Sequence, residues 1–191
     1  MPRRDFRKTI GFGAALAIAV LVPVLAAAEP QTFTAEASAA IAGGAPISRP
    51  LTLVVNRFAT DAERDALMAA IKRGGSEAAH ALLEKQKDAG SLKVGDTTVP
   101  IKYAYARTTG DGRLITAVAA TPMAFLGPTA KSTIGYDLAL AVLEVKTAGG
   151  GTGELTPAAK VKLNDQGAIV TEDHAPETVR LTNVVKKQGA K

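Results

Sequence analysis

Apolar residues recur at every second position through most of this chain, and that rhythm constrains the fold more than any other feature of it. In VPIKYAYAR (99–107), Val99, Ile101, Tyr103 and Tyr105 share one parity, and Gly110-Asp111-Gly112 then turns the chain into RLITAVAAT (113–121). The period also runs through LTLVVNRF (51–58), where Leu51, Leu53 and Val55 share a face. It returns in STIGYDLALAVLEVK (132–146), where Ile134, Tyr136, Leu138, Leu140 and Val142 share a face before Leu143 and Val145 take the other parity. A weaker alternation at 31–41 and further runs at 153–163, 168–172 and 178–185 bring the expectation to seven or eight strands.

Between the second and third of these runs the period changes to that of a helix. Thr60-Asp61-Ala62-Glu63 has the form of a capping box, in which the threonine hydroxyl accepts from the third helical amide and the glutamate reaches back to the cap amide. Leu67, Ala70 and Ile71 then make an apolar stripe, and Gly74-Gly75 offer a left-handed exit. Ser76 can cap a second helix carrying Ala79, Leu82 and Leu83, so a helical hairpin is expected over 61–88. The fold class that follows is α+β: mainly antiparallel strands, as a sandwich or a partly closed curved sheet, with a helical hairpin inserted after the second strand. Ala104, Ala106, Ala117, Ala119, Ala139 and Ala141 lie on the second face of their strands, which is expected to receive the closely approaching hairpin. The alternative is an alanine-lined cavity for an apolar ligand.

The first 28 residues read as an export signal. Arg3, Arg4, Arg7 and Lys8 precede an apolar run from Ile10 to Leu25, and Ala26-Ala27-Ala28 before Glu29 supplies a small-residue cleavage site. Arg3-Arg4-Asp5-Phe6-Arg7-Lys8 resembles a twin-arginine address, with Arg7 where a leucine is usual. A periplasmic or extracellular location is expected, the alternative being an uncleaved membrane anchor over Thr9–Ala28. Loss of the signal removes four cations and one anion, so the net charge falls from +5 to +2. Duplex nucleic acid is therefore a poor partner, since its binding rests on clustered cations. The remainder suits one domain over 29–186, followed by a basic tail at 187–191. With no cysteine and only His80 and His174 as imidazoles, the chain offers poor ligands for a redox centre, and no cofactor or structural metal is expected.

Catalytic motifs are weak. AGGGTG (148–153) lacks the lysine and hydroxyl of a phosphate loop, and Glu154 stands where a dinucleotide-binding turn needs glycine. His174, in TEDHAPE with Glu172, Asp173 and Glu177, is a candidate base or cation ligand, against the simpler reading of a solvated loop. His80 has Glu77 and Glu84 at helical spacing, an ordinary surface arrangement. Asp137 stands within an otherwise apolar run; if buried it needs a cation such as Lys102 or Arg107, or it is an active-site acid.

VNRFATDAERDAL, the following IKRGG and the late VRLTNV resemble segments of a group of exported bacterial proteins of unknown function, over roughly residues 31–186. The resemblance implies an architecture and no activity. Three readings of function stand beside it. The first is an exported non-catalytic domain that contacts another protein or an envelope component. The second is a carrier of a small apolar ligand, with a pocket between sheet and helices lined by Tyr103, Tyr105, Tyr136 and Leu138. The third is a hydrolase using Asp137 or the His174 loop.

Overall fold

A computed structural model of the protein describes residues 29–40, 44–125, 135–174 and 179–187. The signal segment, the tail beyond Lys187, residues 132–134 of the long apolar run and residues 175–178 of the His174 loop lie outside the described residues. In chain order the elements are β1 (Gln31–Ala39), β2 (Ile47–Val55), α1 (Asp61–Leu83), β3 (Gly90–Val94), β4 (Thr97–Ile101), β5 (Tyr103–Thr108) and β6 (Gly112–Ala119). They continue with β7 (Leu138–Lys146), β8 (Gly151–Leu163), β9 (Ile169–His174) and β10 (Val179–Lys187).

The ten strands of the described residues all belong to one antiparallel sheet, in the order β4-β3-β2-β1-β10-β8-β7-β6-β5, with β9 also paired to β8. The two ends of that order, β4 and β5, are consecutive segments of the chain separated only by Lys102. On one side the Ala89 amide donates to the Ile101 carbonyl at 2.8 Å, and on the other the Lys102 amide donates to the Val118 carbonyl at 2.9 Å. The sheet therefore curls into a nearly closed barrel rather than a sandwich, and closure removes most of the edges that an open sheet must protect. One added strand, β3, accounts for part of the excess over the expected count: GSLKV pairs with β2 through Leu53↔Leu92 and with β4 through Leu92↔Val99.

Lys102 also corrects the expected faces. Val99 and Ile101 point into the barrel, whereas Tyr103 and Tyr105, of the same parity, pack in the outer cluster; the irregularity at Lys102 reverses the strand. Ala104 consequently faces inward, as do Ala117, Ala119, Ala139 and Ala141. The alanines thus line the barrel interior and not the helix contact. Ala104, Ala117 and Ala141 stand in one register row, each at most 1 % exposed. Phe33, Leu51, Leu53 and Leu92 of the other strands occupy the same cluster, with Met123 and Phe125 entering after β6. Small and large residues are interleaved in this cluster, with Ala35 and Ala37 beside Phe33 and with Ile115 and Leu143 among the alanines, as the interior of a small barrel requires.

Outside the barrel, α1 lies against Tyr103, Val118, Leu138, Leu140 and Val161. It is a single helix broken at its middle, not a hairpin, and it ends at Leu83: Gly74 (φ −152°) and Gly75 (φ 60°, ψ −146°) depart from helical geometry and the helix resumes at once. The capping box at Thr60 and Glu63 forms, with Glu63 accepting from the Thr60 amide at 2.8 Å and Thr60 Oγ1 accepting from the Glu63 amide at 3.2 Å. Hydrogen bonds fasten the helix and the segment before it to the barrel. The Ala59 amide donates to the Ala104 carbonyl at 2.7 Å, His80 Nε2 donates to the Ala120 carbonyl at 3.1 Å, and Ser76 Oγ accepts from the Val161 amide at 3.2 Å. The last of these satisfies a β8 amide beyond the reach of β7, whose recorded pairing with β8 ends at Leu138↔Ala159.

Register shifts interrupt several of the strand pairings. Pro157 lies where the β7–β8 register shifts, between Leu138↔Ala159 and Leu140↔Thr156, so a residue that cannot donate to a ladder sits where the ladder is interrupted. In β10, Asn183 has φ 53° at a second register shift; asparagine tolerates this left-handed conformation better than most residues. Ala159 pairs with Leu138 on one edge and with His174 on the other, which places β9 on the same edge of β8 as β10. The β8–β9 ribbon accordingly continues past the barrel wall.

Candidate functional groove

The floor of the groove is the outer face of β5–β8, a grid whose rows follow directly from register. One row runs Arg107, Leu114, Glu144, Thr152, and the next runs Tyr105, Thr116, Val142, Glu154. The β8–β9 ribbon roofs this floor, with Gln166, Ala168, Ile169 and Thr171 above it. Its tip is tightly made: Asn164 Oδ1 accepts from the Gln166 amide at 3.0 Å and the Ala168 amide at 2.9 Å. Thr156 is 1 % exposed, and its hydroxyl meets that of Thr171 at 3.2 Å, which ties roof to floor and satisfies a buried polar group.

Two lobes occupy the space. The larger, about 620 Å³, lies over β6–β8 between Leu114, Leu140, Val142 and the ribbon. The smaller, about 320 Å³, lies between the first half of α1, the β5–β6 floor and the ribbon tip, where Met68, Tyr103, Tyr105 and Ile169 line it. Arg107, Leu114, Thr116, Gln166, Ala168 and Ile169 line both, so the lobes form one groove. Such volumes fall within the ordinary range of small-molecule sites, roughly 300–1,000 Å³.

The wall beside the smaller lobe is held by a polar cluster. Arg64 Nη1 donates to Tyr105 Oη at 2.7 Å and to Asp61 Oδ1 at 3.0 Å, Arg64 Nη2 donates to Asp65 Oδ1 at 2.8 Å, and Tyr105 Oη donates to Asp61 Oδ1 at 3.2 Å. The Arg64 guanidinium also lies 5.3 Å from the Tyr105 ring centroid. Its hydrogen bond to Asp65, then that to Tyr105, push the Arg64 pKa further up, so this cation is permanently charged and already neutralised. Tyr103 stacks near Tyr105 with centroids 6.4 Å apart, and burial pushes its phenol well above the usual range. Arg107 differs from Arg64: its side chain enters no hydrogen bond or ion pair among the described residues.

The residues singled out in the sequence are dispersed. Tyr103 and Tyr105 line the smaller lobe, whereas Leu138 is fully buried beneath α1 and Tyr136 lies apart, donating to Asp173 Oδ2 at 3.0 Å with Lys160 Nζ 5.6 Å from its ring. Asp137 is exposed and precedes β7 instead of lying buried within a strand, so the expected need for a buried cation partner does not arise. Lys102 pairs with Asp88 at 2.7 Å. His174 ends β9 on the surface, and its amide donates to Asp173 Oδ1 at 2.8 Å. Among the described residues no cluster of three or more His, Asp or Glu is arranged to hold a metal ion. His80 joins helix to barrel, a role its spacing to glutamates did not reveal.

Leu114, Thr116, Val142, Glu144 and the ribbon tip were not anticipated as a site. The available signal was the mixed polar and apolar character of the parity opposite the alanines, with a short NDQG turn able to fold a ribbon back. Fold and site together define an antiparallel β-barrel with a filled interior and an external groove roofed by its own ribbon. Comparisons of the chain with protein-family models, with curated proteins and with solved structures found no match.

Proposed function

We propose that the protein binds a small, largely apolar molecule in the external groove, as an exported carrier or sensor domain. The observation that supports this reading is the pair of joined lobes whose floor and roof present Leu114, Leu140, Val142 and Ile169 beside threonine hydroxyls, the amides of Asn164 and Gln166, and the charged Arg107, Glu144 and Glu154. A groove of that composition gains from excluding water from its apolar floor while a few polar groups orient the occupant. Export as a folded domain rests on the twin-arginine-like leader.

The test is titration of the purified protein with the neutral fluorophore N-phenyl-1-naphthylamine. Saturable enhancement is expected, and Thr116→Trp, which fills the floor shared by both lobes from an outward-facing position, is expected to abolish it without loss of the folded circular-dichroism spectrum. Enhancement that persists unchanged in Thr116→Trp overturns the reading. Contact with another protein is the second reading, favoured by the outer edge of β9, which pairs only with β8 among the described residues. A co-purifying polypeptide in native mass spectrometry supports that alternative.

A further inference from the structure

We infer that the occupant of the groove carries a single anionic head group, bound by Arg107, with its apolar body in the smaller lobe; this rests on the reading of the groove as a ligand site. Arg107 lines both lobes at their junction, and its guanidinium is engaged by no hydrogen bond or ion pair among the described residues. The other guanidinium in the smaller lobe, that of Arg64, is already taken by Asp61 and Asp65. No carboxylate lines the smaller lobe. Arg107 is thus the one unpaired cation among the residues lining that lobe.

The nearest acid on the floor is set apart by the sheet itself. Glu144 shares the row of Arg107, with Leu114 between them, so it stands two strand spacings away, about 10 Å. That is about one Debye length at physiological ionic strength, and the attraction across it is largely screened where water enters. Glu154 lies on β8, one strand further, and the β10 residue opposite it is Arg180. The carboxylates that line the groove, Glu144 and Glu154, thus stand on its β7–β8 side, away from Arg107.

The groups around Arg107 suit an anion. Its planar fork can donate two parallel hydrogen bonds to a carboxylate, a geometry that lysine does not supply. Thr116 and Gln166 line both lobes beside it and can each donate one more. Met68, Tyr103 and Ile169 then receive the apolar body. A medium-chain or aryl carboxylate has this pattern; a fatty alcohol leaves the guanidinium unmatched, and an alkylammonium places like charges together.

The experiment is displacement of N-phenyl-1-naphthylamine by decanoate, decanol and decylamine at low ionic strength. Decanoate is expected to compete about tenfold better than decanol, with decylamine the weakest. That advantage is expected to shrink with added salt, to vanish in Arg107→Gln and to survive in part in Arg107→Lys, each variant being checked for an unchanged melting transition. Equal competition by decanoate and decanol, or a preference for decanoate that persists in Arg107→Gln, overturns the head-group assignment while leaving the groove as an apolar site. Failure of the fluorophore and all three competitors to bind overturns the groove reading itself.

Discussion

Replacing Ala117 by leucine separates a filled barrel from a hollow one by the sign of its effect. Ala117 is 1 % exposed on the inner face of β6, with Ala104 and Ala141 directly opposite on the two neighbouring strands. Leucine adds three carbons at that point. Were the alanine wall to face an empty cavity, burying them would stabilise the protein by about 2 kcal/mol, at roughly 0.8 kcal/mol for each carbon. In the structure the space is already occupied by the large side chains of the same cluster, Phe33, Leu53 and Leu92 among them. Overpacking then costs about 1–3 kcal/mol, because neighbouring side chains must leave their rotamers or strands must separate. For a domain of this size each kcal/mol moves the midpoint by roughly 2–4 °C, so Ala117→Leu is expected to lower Tm by about 2–12 °C. Thermal unfolding followed by far-ultraviolet circular dichroism reads this directly. A rise in Tm refutes the filled interior.

Other consequences follow from the helix and its attachment. Thr60→Ala removes the hydroxyl that accepts from the Glu63 amide and is expected to cost about 1 kcal/mol in denaturant unfolding. Glu63 has its pKa lowered, first by the Thr60 amide and also by Arg57. A carboxyl depressed on folding contributes stability that is present above its unfolded value and lost as pH falls through its folded one, so Glu63→Gln is expected to flatten the acid limb of stability against pH. Gly75 adopts φ 60° and ψ −146°, a region closed to alanine without strain; Gly75→Ala is expected to destabilise by about 1–3 kcal/mol despite alanine's higher helix propensity, and a stabilised variant would mean that α1 runs straight through. Tyr103, raised by burial, contributes stability that holds below pH about 10 and declines as pH rises through its higher folded value. Tyr103→Phe is expected to remove that alkaline decline, measured by unfolding above pH 10.

Local rules carried much of the fold. The alternation from Leu51 to Val55 and from Leu138 to Val142 was sufficient to find β2 and β7, because each strand has one face in the interior. Thr60 and Glu63 fixed the start of α1 because a capping box is complete within four residues. What the sequence concealed is non-local. The reversal of face at Lys102 involves a single residue, invisible to a period of two, and it moved Tyr103 outward and Ala104 inward. With that reversal unseen, the alanines looked like a seat for the helix. Gly74-Gly75, expected as the turn of a hairpin, form a kink instead, and both halves of the helix rest on the outer surface of Val118, Leu138 and Val161. The groove depends on register across four strands and on where the β8–β9 ribbon lands, and neither is written in any one segment. Arg107 was noticed only as a partner for Asp137, which the fold leaves exposed.

Methyl-resolved NMR shows most directly where an apolar molecule goes when it meets this protein. On titration with decanoate, the methyl resonances of Met68, Leu114 and Ile169 are expected to shift together and saturate, while those of Ala104, Ala117, Ala141 and Leu155 stay in place. Shifts concentrated in the alanine and Leu155 methyls, with the groove residues unmoved, would put the ligand inside the barrel and contradict the account.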